Sequence, residues 1–111
     1  MADVLSNRRN STRYSLILLA TVWEVGSEVK LSARTSDISL TGCYIDTLRP
    51  FAKNCRVHLH LTRGDEIFQT TGMVMYINEK LGMGIQFEQP IEQSQMNVLE
   101  RWLGNSTHLK L

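Results

Sequence analysis

The sequence is poor in the groups from which catalytic centres are built. It has two cysteines, three histidines and two prolines, and no stretch reads as a nucleophile–base pair or a phosphate-cradling glycine loop. Hydrolytic and group-transfer chemistry therefore have no support. Cys43 and Cys55 lack metal-type spacing and a partner cluster, and they read as two incidental thiols in a reducing compartment. His58 and His60 share one face of a strand, but a third ligand or carboxylate is missing nearby, so no metal is expected. No catalytic residue is assigned.

Charge imbalance and long apolar runs are also scarce. The formal net charge is +1, so long-range attraction to nucleic acid or anionic lipid is weak, and any anion site must be local. A barrel that binds single strands would want a basic groove with interleaved aromatics, and only 7% of residues are aromatic. DNA and RNA are not expected partners. The segment "RYSLILLATVW" sets arginine ahead of apolar residues as a signal peptide does, but its apolar core is too short to span a membrane. We read a cytoplasmic protein without membrane insertion. At 111 residues the chain is expected to hold one modest core, without a fused enzymatic or output domain.

Short alternating segments dominate what is present. An apolar, β-branched run from Tyr14 to Trp23 predicts a first strand, closed by a turn at Gly26. "EVKLSARTS" follows, with Val29, Leu31 and Ala33 on one face. "GCYID" predicts a third strand with Cys43 and Ile45 inward, and "RVHLHL" a fourth with Val57, Leu59 and Leu61 buried. "RGD" at 63–65 is a turn into "EIFQTTGMVMYIN", where Gly72 suggests a bulge or barrel corner. "GMGIQFE" gives a sixth strand with Met83, Ile85 and Phe87 on one face. Pro90 fits the start of a helix over 91–103, with Gly104 as its stop. Trp23 and Trp102 each end an apolar run and are expected in the core. Tyr44 and Tyr76 are the remaining aromatics open to a ligand. The pattern predicts an antiparallel barrel or sandwich ending in one amphipathic helix.

Two stretches carry chemistry. In "RRNSTR", Arg9 and Arg13 stand four apart with Arg8 directly before them, and no acidic residue falls between Asp3 and Glu24. The planar guanidinium fork pairs with two acceptors at once, on phosphate or on the O6 and N7 edge of guanine. In "SDISLTG", Asp37 and Ser39 are two apart and would project from one face of an extended chain. A carboxylate accepts from guanine N1–H and N2–H, and a hydroxyl both gives and takes. Gly42 ends a predicted β-turn where a flat base could approach the backbone. The competing reading is a turn whose Asp and Ser cap local N–H groups. Strict alternation from Val29 would bury Asp37 and Ser39 at a cost of several kcal/mol per unpaired carboxylate. A bulge near Thr35–Ser36 would instead turn Ile38 and Leu40 inward and leave the polar pair outside.

With "RNSTR" as Arg-x-x-x-Arg, "DISLTG" as Asp/Asn-x-Ser-x-x-Gly, and "GMGIQFE" before a terminal helix, the chain resembles a PilZ domain over about residues 8–104. That family is a receptor module for the bacterial second messenger cyclic di-GMP. The resemblance implies an all-β fold, a six-stranded antiparallel PilZ-type barrel with a C-terminal helix, and no catalysis. It implies a flexible arm at 1–12, the barrel and helix at 13–104, and a tail at 105–111. Arg8, Arg9, Arg13, Asp37, Ser39 and Gly42 would then hold cyclic di-GMP, and the arm would be drawn onto the barrel. A basic residue before Arg-x-x-x-Arg, here Arg8, goes in this family with capture of two intercalated ligand molecules. The implied output is a stand-alone receptor acting on a downstream effector protein, whose identity is not readable. Some family members lack the arginines and serve as adaptors that do not bind the nucleotide, which is the alternative function.

Overall fold

In the computed structural model, which describes residues 12–104, the alternating segments form six antiparallel strands. They are β1 (Leu19–Glu24), β2 (Leu31–Ile38), β3 (Gly42–Asp46), β4 (Arg56–Arg63), β5 (Glu66–Asn78) and β6 (Gly82–Phe87), followed by one helix, α1 (Gln93–Gly104). The order β1-β2-β3-β6-β5-β4 closes on itself, which removes the open edges that invite mispairing. This is the expected six-stranded barrel with a terminal helix. Cys43, Ile45, Val57, Leu59, Leu61, Met83, Ile85 and Phe87 fill its interior as their alternation predicts. Arg8 and Arg9, with the rest of the arm at 1–11 and the tail, lie outside the described residues.

The first strand is shorter than its apolar run, and β2 explains why. Pairing of β2 with β3 slips between Thr35 and Asp37, so that Ser36 is an extra residue. The bulge falls where the sequence required one. Thr35 and Ile38 both point inward, while Asp37 stands opposite Tyr44 on the outer face. The incoming chain at 14–18 cannot keep a regular ladder against this uneven partner. It is tied at two points instead. Tyr14 and Ile38 exchange both backbone hydrogen bonds, at 2.8 and 3.0 Å. The buried Thr35 hydroxyl donates to the Leu16 carbonyl at 2.7 Å and accepts from the Leu18 N–H at 2.9 Å.

Four further expectations need correction. Val29 is exposed, because pairing of β2 with β1 begins only at Leu31. Trp23 is not a core residue: Val22 takes the inner position, so its neighbour must point out. The register slip in β5 falls between Val74 and Tyr76, while Gly72 keeps regular partners in both β4 and β6. Pro90 lies outside the helix, after a cis Gln89–Pro90 peptide. Glu92 is the N-cap, its carbonyl accepting from the Met96 N–H at 2.9 Å. Ile91 and Met96 occupy the hydrophobic-staple positions, and both pack against the core.

The helix is integral to the barrel. Leu99, Trp102 and Leu103 are buried, and the Trp102 ring stands 6.5 Å from Phe68. Burying these three side chains is worth roughly 6–10 kcal/mol as an upper bound, comparable with the whole stability of a small domain. Residues 66–71 of β5 extend past its pairing with β6, and α1 covers them. Gln95 Oε1 accepts from the Gln69 N–H at 2.8 Å, and Glu66 accepts from Trp102 Nε1 at 3.0 Å and from Arg101. No helix among the described residues is long and apolar enough to cross a membrane.

Candidate ligand-binding site

The Tyr14–Ile38 bridge brings Arg13 beside the end of β2. There its Nε and Nη2 donate to one oxygen of Asp37, Oδ1, at 3.1 and 2.8 Å. Two residues 24 positions apart in sequence thus meet through the backbone pairing of their neighbours. The Arg13 side chain is 48% exposed and that of Asp37 15%, so the guanidinium remains open to a ligand while the carboxylate is largely covered. The Asp37 carboxylate chiefly, and Tyr76 more weakly, push the guanidinium's already high pKa further up against the opposing effect of burial.

The turn after β2 answers which of its polar groups face outward. Asp37 does, but Ser39 is only 5% exposed and folds back into the turn. Its Oγ accepts from the N–H groups of Thr41 and Gly42, each at 3.1 Å. The expectation of an outward Asp–Ser pair is half right: the hydroxyl does better by satisfying two local donors than by reaching solvent. Gly42 is required for close approach. A Cβ there would lie 2.3 Å from the Ile85 carbonyl oxygen of β6.

Across the barrel wall, Tyr76 of β5 lies flat on β6. A Cβ on Gly84 would come within 2.2 Å of its ring, so only glycine leaves the ring this seat. Gly84 stands opposite both Tyr44 and Tyr76, whose rings stack at a 6.1 Å centroid distance. Arg13, Asp37, Ser39, Gly42, Tyr76 and Gly84 together line one open depression of about 220 Å³, with Thr41, Met75 and Gln86 at its sides. Cys43 also borders it, but burial pushes its thiol pKa far up and keeps it protonated. The Ser39 hydroxyl is committed to backbone N–H groups. What is available is a guanidinium, a carboxylate, an aromatic face and glycine-flattened backbone. This set suits a planar heterocycle that carries an anion.

Arg13, Asp37, Ser39 and Gly42, four of the residues singled out in the sequence, therefore converge. Thr41, Met75, Gln86 and the seating of Tyr76 were not legible as part of the site. The available signal was "GMG" opposite two tyrosines, but the slip at Met75 hides that register in the sequence.

A family model for the PilZ domain matches residues 7–105. The chain belongs to the PilZ domain family. The family is one of cyclic di-GMP receptors, a binding and regulatory family and not a catalytic one. Among solved structures, the barrel is similar to the Bacillus subtilis inhibitor of motility (MotI/DgrA), with a TM-score of 0.70 and 18% identity over 88% of this chain. The match spans about half of that protein, 53% of its length. The PilZ domain of CeSA from a cellulose-synthesizing bacterium is similar with a TM-score of 0.65 and 15% identity, over 83% of this chain and 95% of that one. At such identities these likenesses speak for the fold alone. No curated protein matches the chain in sequence.

Proposed function

We propose that this PilZ domain binds cyclic di-GMP in the depression between Arg13, Asp37 and Tyr76, draws its N-terminal arm onto the barrel, and presents the altered surface to a partner protein. The observation that carries the reading is the meeting of Arg13 and Asp37 over the Ser39–Gly42 turn, beside an aromatic ring. Arg13 donates to a phosphate or to the guanine O6–N7 edge. Asp37 accepts from guanine N1–H and N2–H, and Gly42 and Gly84 let the base approach the backbone. The ligand exchanges with part of the Arg13–Asp37 contact, so neither charge is left bare. Arg8 and Arg9 supply cations for the remaining phosphates. An arm ordered in this way is a signal in itself. We place the receptor in the cytoplasm, where the messenger is made.

Isothermal titration with cyclic di-GMP tests the reading. A charge-assisted contact is worth ~1.5–3 kcal/mol, so Arg13→Ala should weaken binding by about tenfold or more. Saturation should approach two ligands per chain, as an intercalated pair, and Arg8→Ala should lower that number before it abolishes binding. Unchanged affinity in Arg13→Ala would remove the site assignment. Wild-type protein that takes up no nucleotide would instead make this chain an adaptor.

A further inference from the structure

The outer face of β6 is paved by two tyrosines that compete for one place. Met83 points into the core, so Gly82 and Gly84 face outward. Both glycines are nevertheless buried. Their bare backbone is covered by the rings of Tyr44 and Tyr76, from the two neighbouring strands. Register sets both tyrosines directly opposite Gly84, one from β3 and one from β5. The seat over that glycine admits one ring. Tyr76 holds it: a Cβ on Gly84 would meet Tyr76 Cε1 at 2.2 Å and Cζ at 2.4 Å.

Tyr44 leans one step along the strand instead. A Cβ on Gly82 would come within 2.8 Å of its Oη and 2.9 Å of its Cζ. There the Asn78 side-chain Nδ2 donates to Tyr44 Oη at 2.9 Å. Asn78 stands opposite Gly82 in the β5–β6 ladder, so the donor is built into the strand pair. The two rings end with centroids 6.1 Å apart and planes 21° from parallel. Two residues of strand advance by about 6.4–6.8 Å, which fits one ring per glycine. Tyr44 lies outside the depression, whereas Tyr76 lines it together with Arg13 and Asp37. Tyr76 is 44% exposed and acts on the Arg13 guanidinium, more weakly than Asp37 does.

We propose that Tyr44 and Asn78 are positioning residues for the nucleotide site: their hydrogen bond holds the Tyr44 ring over Gly82 and reserves the seat on Gly84 for Tyr76. Tyr76 then keeps its ring beside Arg13, where a planar base meets it. Without that hydrogen bond, an aromatic ring at position 44 has an equal claim to Gly84, because the register places it there. Displacement of Tyr76 takes an aromatic wall and an Arg13 contact out of the depression together. Neither Tyr44 nor Asn78 needs to touch the ligand. This role rests on the depression's being a cyclic di-GMP site, and it extends that site to residues outside the lining.

Two variants break the hydrogen bond from opposite sides. Tyr44→Phe keeps the ring and removes the acceptor, and Asn78→Ala removes the donor. In isothermal titration with cyclic di-GMP, each should bind about fivefold more weakly than wild type, the worth of one neutral hydrogen bond. The double variant should be no weaker than either single one, because both changes break the same contact. NMR spectra without nucleotide should show the Gly82, Gly84 and Arg13 Nε–H signals displaced in both variants, as the rings above them move. Wild-type affinity in both single variants, or additive losses in the double one, would overturn the positioning role. So would a lowered thermal midpoint with the Gly84 and Arg13 signals in place, since the pair would then only stabilise the barrel. Arg13→Ala separates this failure from that of the site. Weakened binding there beside unchanged binding in Tyr44→Phe removes the positioning role alone, while a wild type that takes up no nucleotide removes both.

Discussion

Asp37 and Ser39 are separated by one residue and have different tasks. The carboxylate stands on the outer face and holds Arg13 by one oxygen, leaving the Arg13 side chain about half exposed to a ligand. The hydroxyl builds the turn that carries Gly42 to β6. Ser39→Ala should therefore act on stability before it acts on binding. Two backbone N–H groups would lose their acceptor, at a cost of roughly 1–3 kcal/mol, read as a lowered urea midpoint. An unchanged midpoint with lost nucleotide binding would return Ser39 to the ligand. The sequence spacing made Arg13, Asp37 and Gly42 legible as a group, because their chemistry is complementary to one ligand. It placed Ser39 outward with Asp37, whereas a serine two residues before a turn's N–H groups is drawn to them whether or not a ligand exists.

At the scale of elements, the bulge at Ser36 does most to position the site. It lets β2 bury Thr35 and Ile38 while presenting Asp37, and it obliges the preceding chain to attach by side chain rather than by ladder. The Thr35 hydroxyl makes one of the two attachments, holding Leu16 and Leu18, while the Tyr14–Ile38 backbone pair makes the other. Thr35→Val keeps the shape of the side chain but strands the Leu18 N–H and the Leu16 carbonyl, at about 1–3 kcal/mol per buried group. We expect a lower thermal midpoint together with weaker cyclic di-GMP binding, because Arg13 loses its anchored approach. A Thr35→Val protein with wild-type affinity would mean that the Tyr14–Ile38 bridge is sufficient to place Arg13. Strands β3 and β4 were readable from alternation alone, since each buries every second residue. The start of β1 was not, because a strand's length depends on its partner, and the irregularity lies in β2. Trp23 was misread for a related reason: bulk and an apolar neighbourhood argue for burial, but strand phase decides it.

As a whole, the molecule is a closed sheet completed by a helix. Its stability rests on Leu99, Trp102 and Leu103 in the core and on Glu66 receiving Arg101 and Trp102. The hydrogen bond from Arg101, then that from Trp102, hold Glu66 below its ordinary value of 4.5. A carboxylate depressed in the folded state contributes fully above its unfolded pKa, and the contribution is lost as pH falls through the lower folded value. The barrel should accordingly lose thermal stability below about pH 4.5, and Glu66→Gln should remove that part of the acid dependence. An identical acid limb in the variant would mean that the helix is held by its apolar contacts alone.

Amide hydrogen exchange with and without cyclic di-GMP reads whether one ligand joins the arm to the barrel. Saturating nucleotide should slow exchange in two segments, residues 7–14 and 37–44, while β1 on the opposite wall is unchanged. Protection confined to the opposite wall, or no change at 7–14 under saturation, would contradict it.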